Sequence, residues 1–391
     1  AITKGDTSPV IFRASRLGSR FLAPKYHKLF FERDENTGQL ISHEASGSHA
    51  IKIFKDPDTN QSIHFKEKPH APGIEFMVGT LGNLLTGGIS PPTELVKIID
   101  SQGWHYTYLA SKTIEGINMQ DIIEHSPESM LEIEPTSFSK MFILSLLTSP
   151  QDGKPDNFMM RIVSRDPKPV YEILGFDNDI SFVDPIVTEH QGPRKGQKFI
   201  NIKNVLYFFP QMNEKINATF RDQFLKQDTL VVLLDLLDNL YQQNQHYWSL
   251  LDEGLFTEEE FTGGKTSKRG LQLPIKLVPG TITKLYFKLT KLQELLFERP
   301  DCLHNDLLAE IEPTVFHYYK KVIQENIDAA GSIDIMGCIK QLYLETAESV
   351  EEKIELDTQM YNGNTQFQTR LVLKTNARFD FEQGRLQSIE Q

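Results

Sequence analysis

The stretch Thr148–Met160, TSPQDGKPDNFMM, gathers a carboxylate at Asp152, an ammonium at Lys154 and an amide at Asn157 in one short loop. Asp, Gly, Pro and Asn are also what any tight turn recruits, so composition alone decides nothing. The order says more. Phosphoryl transfer from ATP needs a cation over the nucleotide phosphates, oxygen ligands for a metal, and a carboxylate that orients or deprotonates the acceptor. Lys66 in IHFKEKP, Glu75 in the following segment, Asp152 with Asn157, and Asp177 twenty-five residues past Asp152 supply such groups in sequence order. Taken singly, each has an ordinary alternative. Lys66 could be a surface lysine and Glu75 could face water, with Glu94 a competitor for its place, while the aspartates could close turns.

The elements that must position these groups are legible from periodicity. HAIKIFKDPDTNQSIHFKEKP alternates on both sides of a turn-rich centre, which predicts a β-hairpin ending near Lys66. GIEFMVGTLGNLL has apolar residues at helical spacing and stops at Gly87-Gly88, so a helix carrying Glu75 is expected despite its internal glycines. A strand over WHYTYLASKTI follows, and a helix from Pro135 to Leu147 runs directly into the Asp152 loop. VYEILGFDNDISFVD reads as paired short strands around an acidic turn. From about Asn201 the segments TFRDQFLKQDTLVVLLDLLDNLYQQNQHYWSLL, TITKLYFKLTKLQELLFE and NDLLAEIEPTVFHYYKKVIQENI are amphipathic and helical. The expected division is residues 1–109, carrying a lead-in segment, the hairpin with Lys66 and the Glu75 helix; 110–335, carrying the Asp152 loop, the acidic turn at Asp177 and the helices; and a C-terminal appendage over 336–391 that could meet a protein partner.

Composition removes several function classes. Acidic residues outnumber basic ones, 53 to 41, which argues against a nucleic-acid binder and confines any polyanion site to a local patch. Two cysteines far apart give neither a disulfide framework nor a structural zinc site, and fit a reducing, cytoplasmic setting with at most peripheral membrane contact. No apolar run reaches the length of a membrane span. Two motif matches fail on context. DPDTNQSIHFKE has Asp56, Asp58, Asn60 and Glu67 at calcium-loop positions, but Gln61 stands where the turn needs glycine, and the flanks alternate like strands. GGKTS ends like a P-loop, but Glu259 replaces its first glycine and no strand precedes it.

DGKPDN closely resembles the Asp-Leu-Lys-Pro-Glu-Asn catalytic loop of protein kinases, and GFDND stands where those enzymes carry Asp-Phe-Gly. A nearer resemblance is to the phosphatidylinositol 3- and 4-kinases, the type II phosphatidylinositol 4-kinases in particular. ASGSHAIKIFKDPDTNQSIHFKEK looks like their phosphate loop and hairpin, LLTSPQDGKPDNFMM like their catalytic loop, and GFDNDISF like their Asp-Asn-Gly metal motif, with Asp179 in place of the glycine. The likeness spans roughly residues 45–185 and lacks a counterpart to the family's cysteine-rich insertion.

The resemblance implies an α+β, bilobal protein-kinase-like fold: a small β-rich N-lobe with one helix and a larger, mainly helical C-lobe. It implies ATP and Mg²⁺, with Ser46, Gly47 and Ser48 closing over the phosphates, Lys66 neutralising them and Glu75 as its helix partner. Asn157 and Asp177 would hold the metal, Asp152 would orient the acceptor hydroxyl, and Lys154 would offset charge on the transferred group. His190, Arg194, Lys195 and Lys198, in the activation-segment position, form a basic cluster suited to a phosphoinositide headgroup. A protein kinase with the same ATP site, and a pseudokinase serving as an interaction module, remain open alternatives.

Overall fold

The computed structural model describes residues 10–13, 43–45, 51–55, 62–99, 105–164, 168–190, 195–263, 270–344, 377–380 and 385–388. The chain divides into two compact units. One comprises Ala1–Gly79, Pro91–Ile114 and Asn239–Lys276, and the other Thr80–Ser90, Glu115–Asp238 and Leu277–Gln391.

The first unit is built on one antiparallel sheet. Its strands are β1 (Val10–Arg13), β2 (His43–Ala45), β3 (Ile51–Lys55), β4 (Ser62–Glu67), β5 (Thr93–Ile99) and β6 (His105–Lys112), in the order β1-β5-β6-β4-β3-β2. The expected hairpin is β3–β4, with Ile51 opposite Lys66 and Lys55 opposite Ser62. Ile63 and Phe65 of β4 are buried, and Phe65 meets Tyr108 of β6 edge to face with ring centres 6.3 Å apart. Strand β5 is an addition to the sequence reading. Leu95, Val96 and Lys97 are consecutive buried positions, so the strand offers no alternation to detect.

Helix α1 (Pro72–Thr86) begins in this unit, with Glu75 in its first turn. It ends where Gly87 adopts φ 79°, a left-handed conformation that only glycine enters without strain. The expected helix therefore forms over its full predicted length.

The remaining helices are α2 (Met119–His125), α3 (Pro135–Thr148), α4 (Ala218–Leu225), α5 (Thr229–Asp252), α6 (Glu258–Thr262), α7 (Thr281–Glu298), α8 (His304–Ile311), α9 (Pro313–Ala330) and α10 (Ile335–Leu344). Residues 239–276, which include α6, join the first unit through specific contacts. Lys97 Nζ lies 2.9 Å from Glu260 Oε1 and 4.8 Å from the centre of the Phe256 ring. Phe256 and Tyr247 in turn pack on Phe261, with ring centres 5.4 and 6.3 Å away.

The second unit is mainly helical. Its largest sheet is β7 (Ile117–Asn118), β8 (Phe158–Ser164) and β9 (Val170–Gly175), in that order. Two hairpins accompany it: β10 (Ile186–Thr188) with β11 (Lys198–Ile200), and β12 (Ala377–Asp380) with β13 (Arg385–Ser388). The strand VYEILG pairs with the preceding FMMRIVS and not with the following ISFVD, which corrects the sequence reading. The physical reason is a competing set of partners. Phe182 N–H donates to the Thr148 carbonyl and Val183 N–H to that of Ser149, so ISFVD lies along the end of α3.

Two long helical patterns are also broken. Asp228 Oδ1 accepts from the N–H groups of Leu230 and Val231 and starts α5 afresh, while Pro313 opens α9 directly after α8. The protein is thus mixed α/β, with a small sheet-rich N-terminal region and a larger helical C-terminal part. Among the described residues no helix is long and apolar enough to cross a membrane.

The core of the second unit centres on His304, at 2% exposure. The Phe138 and Phe142 rings lie 4.9 and 5.0 Å away in edge-to-face contact. His304 Nδ1–H donates to the Glu214 carbonyl, so Nε2 is the acceptor for the Ser139 hydroxyl at 3.0 Å. Ser139 Oγ also accepts from Asn217 N–H, tying α3 to the start of α4.

Burial lowers the His304 pKa from 6.5 to about 4, against a smaller raising effect of its backbone hydrogen bonds. The unfolded chain therefore binds the extra proton first, and stability present above pH 6.5 is lost as pH falls toward 4. By pH 5 the loss should reach about 2 kcal/mol. Denaturant midpoints measured from pH 7.5 to 5 should fall accordingly, and His304→Gln should flatten that slope while lowering stability at neutral pH.

Candidate active site

Helix α3 delivers the chain to the candidate loop. Eleven of its residues, Ser137 to Ser139 and Met141 to Thr148, are buried, so its direction is fixed on every side. It ends at Ser149, whose φ of 45° turns the chain sharply. A buried cation holds that turn. Lys288 Nζ of α7 donates to Ser149 Oγ at 2.7 Å and to the Leu146 carbonyl at 2.8 Å, and pairs with Glu312 at 2.6 Å.

Past the turn the loop is fastened to residues 203–205. Gly153 N–H donates to Lys203 C=O, Val205 N–H to Gly153 C=O, and Lys203 N–H to Pro150 C=O, at 2.8–2.9 Å. A Cβ at position 153 would sit 2.7 Å from the Lys203 carbonyl oxygen, so the approach requires glycine. Behind the loop Met141, Leu144, Phe158 and Phe176 form the apolar part of a cavity that Asp152 and Asn157 also line.

The side chains then converge. Asn157 Nδ2 donates to the Asp152 carbonyl at 2.6 Å and reaches Asp152 Oδ2 at 3.5 Å, which leaves Asn157 Oδ1 as its electron-pair donor. Strand β8 starts at the next residue, with Phe158 opposite Gly175, and Phe176 N–H donates to Asn157 C=O at 3.1 Å. That register sets Phe176 against Asn157, and Asp177, the next residue, is near enough to act on Lys154. Asp177 itself has φ 56°, a conformation that Asp tolerates better than most residues.

Lys154 Nζ stands 3.3 Å from Asp152 Oδ2 and 3.8 Å from Asp156 Oδ2. Burial by itself would lower the Lys154 pKa, but Asp152, Asp156 and Asp177 together raise it, so the ammonium keeps its charge. Burial pushes the Asp156 carboxyl upward, partly countered by Lys154. Among the described residues no group of three or more His, Cys, Asp and Glu forms a self-sufficient metal cluster. Mg²⁺ beside nucleotide phosphates needs only one or two protein oxygens, and Asn157 Oδ1 with the Asp177 carboxylate fits that requirement.

Of the residues expected from sequence, Asp152, Lys154, Asn157 and Asp177 are brought together in the second unit. In the first unit Lys66 and Glu75 are paired at 4.0 Å, with both side chains largely buried. Glu94, the competitor, is buried on β5 opposite Ala110. Lys198 opens β11 opposite Thr188, and Lys195 is exposed in the turn before it. Ser46, Gly47, Ser48 and Arg194 lie outside the described residues, as do Asp56, Asp58, Asn60, Gln61 and the Gly264–Ser267 part of GGKTS.

Two residues at the site went unread in the sequence. Tyr343, near the end of α10, donates its hydroxyl to Asp152 Oδ1 at 3.5 Å, and Lys203 Nζ lies 4.8 Å from the centre of the Tyr343 ring. Burial lowers the Lys203 pKa while Asp152 opposes that shift. Lys203 continues the basic run that ends at Lys198, and that nearness was a usable signal. Tyr343 gave none, standing 191 residues from Asp152.

No family model matches the chain, and no curated protein sequence matches it. Among solved structures, a MAP kinase from Leishmania major aligns over 84% of this chain and 92% of its own length, at 10% identity and a TM-score of 0.21. A likeness that weak fixes no residue correspondence.

The buried pair above the loop gives a direct test. Lys288→Met strands the Glu312 carboxylate, and should cost on the order of 3–5 kcal/mol in urea unfolding. Adding Glu312→Leu should recover much of that loss, because the double variant buries no charge.

Proposed function

We propose that the protein is an ATP- and Mg²⁺-dependent kinase of the phosphoinositide-kinase-like group, transferring the ATP γ-phosphate to a hydroxyl of a phosphoinositide. The observation that carries this reading is the gathering of four polar groups: Asp152 and Asn157 joined within one loop, Lys154 3.3 Å from the Asp152 carboxylate, and Asp177 near enough to act on Lys154. Bound Mg²⁺ would neutralise charge on the nucleotide phosphates. Asn157 and Asp177 would hold it. Asp152 would accept the acceptor's proton, helped by Asn157, which fixes the carboxylate's position through the Asp152 carbonyl. Lys154, kept protonated by its three acidic neighbours, would offset charge developing on the transferred group.

In the first unit, the Lys66–Glu75 pair supports the assignment of Lys66 to the α- and β-phosphates. The amides of Ser46, Gly47 and Ser48 would close over them. Lys195 and Lys198 share the β10–β11 hairpin, and with Arg194 they would hold the phosphates of the headgroup. The acceptor is the part of this reading that rests on the family resemblance and the basic hairpin.

A side-by-side assay decides the acceptor. Labelled γ-phosphate should appear on phosphatidylinositol vesicles and not on protein in a cell lysate; the reverse result assigns a protein kinase. Arg194→Ala with Lys195→Ala should weaken lipid phosphorylation about tenfold or more, since losing even one charged contact of about 1.5–3 kcal/mol has that effect. Unchanged lipid turnover would remove the hairpin from recognition.

Asp177→Ala should depress turnover by orders of magnitude and weaken Mg²⁺-dependent nucleotide binding while the protein stays folded. Asp152→Ala should spare nucleotide binding and lower the chemical step alone. Nucleotide affinity, turnover and melting temperature measured on both variants separate these roles. A fully active Asp177→Ala protein would overturn the kinase assignment, and an absence of both turnover and any ATP-induced rise in melting temperature would assign a scaffold.

A further inference from the structure

The Asp152 carboxylate divides its two oxygens between two sets of partners. Oδ2 faces the loop's own Lys154 at 3.3 Å and Asn157 at 3.5 Å, whereas Oδ1 faces the hydroxyl of Tyr343 at 3.5 Å. The oxygen left over by the loop is the one that an acceptor hydroxyl would address, and the chain presents a hydroxyl of its own to it. Helix α10, which carries Tyr343, packs against α9, α2 and residues 205–208 within the same unit. The contact is therefore part of the fold of that unit, and Tyr343 is the last residue but one of its helix, where a helix unwinds at least cost.

From this juxtaposition we propose that Tyr343 is an intramolecular phosphoryl acceptor, modified by the chain's own Asp152 loop. The inference rests on the kinase reading above. In the step, the Tyr343 phenolic oxygen attacks the γ-phosphorus of ATP. The new O–P bond forms as the bond to the β,γ-bridging oxygen breaks, the phenolic proton passes to Asp152 Oδ1, and ADP departs with the electron pair of the broken bond. Until then, burial foremost, with the Asp152 charge, holds the Tyr343 pKa well above its usual value and keeps the phenol protonated, so a positioned base is needed. Lys203, 4.8 Å from the ring centre, supplies a cation for the phosphate so formed. Asp152 and Asp156 repel it, which turns the modified side chain away and frees Oδ1 for another acceptor.

The test uses the full chain with γ-labelled ATP and Mg²⁺ over a dilution series, and peptide mapping by mass spectrometry. Phosphatidylinositol vesicles and a serine-containing peptide serve as external acceptors in parallel. The expected result is a phosphate on Tyr343, added at a rate per molecule independent of protein concentration, and lost in Tyr343→Phe while an external acceptor is still labelled. Label on an external acceptor with Tyr343 unmodified overturns the proposal and leaves the kinase reading standing; so does Tyr343 labelling whose rate rises with concentration, or self-labelling that persists in Tyr343→Phe. Label on neither the chain nor any acceptor overturns both. Should Tyr343→Phe not fold, the site map and the dilution series on the unmodified sequence decide the matter.

Discussion

The hydrogen bond from Phe176 N–H to the Asn157 carbonyl closes the end of the β8–β9 hairpin, and the chemistry proposed for this protein depends on it. Asn157 precedes one strand and Asp177 lies two residues past the other. A slip of one residue in the pairing would turn alternate side chains to the opposite face of the ribbon and change where Asn157 stands relative to the residues that follow β9. Register is enforced from below: Met160 and Ile173 are fully buried, and Ile173 N–H donates to Ser137 Oγ of α3. Hydrophobic burial and one buried hydroxyl thus set the position of two groups that are themselves polar.

The helix before the loop is held by a different kind of force. Lys288 satisfies the carbonyl of Leu146 and the hydroxyl of Ser149, and Glu312 balances its charge. Buried ion pairs seldom add stability over apolar replacements, and their use lies in fixing one arrangement among several. Here the arrangement fixed is the left-handed turn at Ser149, from which the chain reaches Asp152 in three residues. On the far side, Gly153 admits the Lys203 carbonyl close enough for paired backbone bonds. The loop has the composition of a surface turn and the restraints of a core segment.

Those restraints also explain the crowding of charge. Asp152, Asp156 and Asp177 all act on Lys154, and Lys203 senses Asp152. Three carboxylates held near one another are costly unless cations stand among them. Lys154 meets part of that need, and a divalent cation at Asn157 and Asp177 would meet more.

Much of this was legible in the sequence because it is local. The β3–β4 hairpin, the helix bearing Glu75, the helix entering the loop and the cluster Asp152, Lys154, Asn157 each depend on spacing within a few residues, and periodicity or turn chemistry reports such spacing directly. Asp177 could be assigned by order. Its partner strand could not, because VYEILG pairs backward with FMMRIVS, and pairing is a choice among segments that all alternate. Strand β5 escaped because Glu94, Leu95, Val96 and Lys97 are all buried in succession, which leaves no alternation to read. The placement of residues 239–276 with the sheet depends on Lys97 finding Glu260, and the presence of Tyr343 at Asp152 depends on how α10 packs. Side-chain periodicity records which face of an element is buried, and it carries no record of which distant element covers that face. That is why the sequence by itself determined the candidate loop and the elements next to it in the chain, whereas the hydroxyl and the cation that come to it from afar were decided by tertiary packing alone.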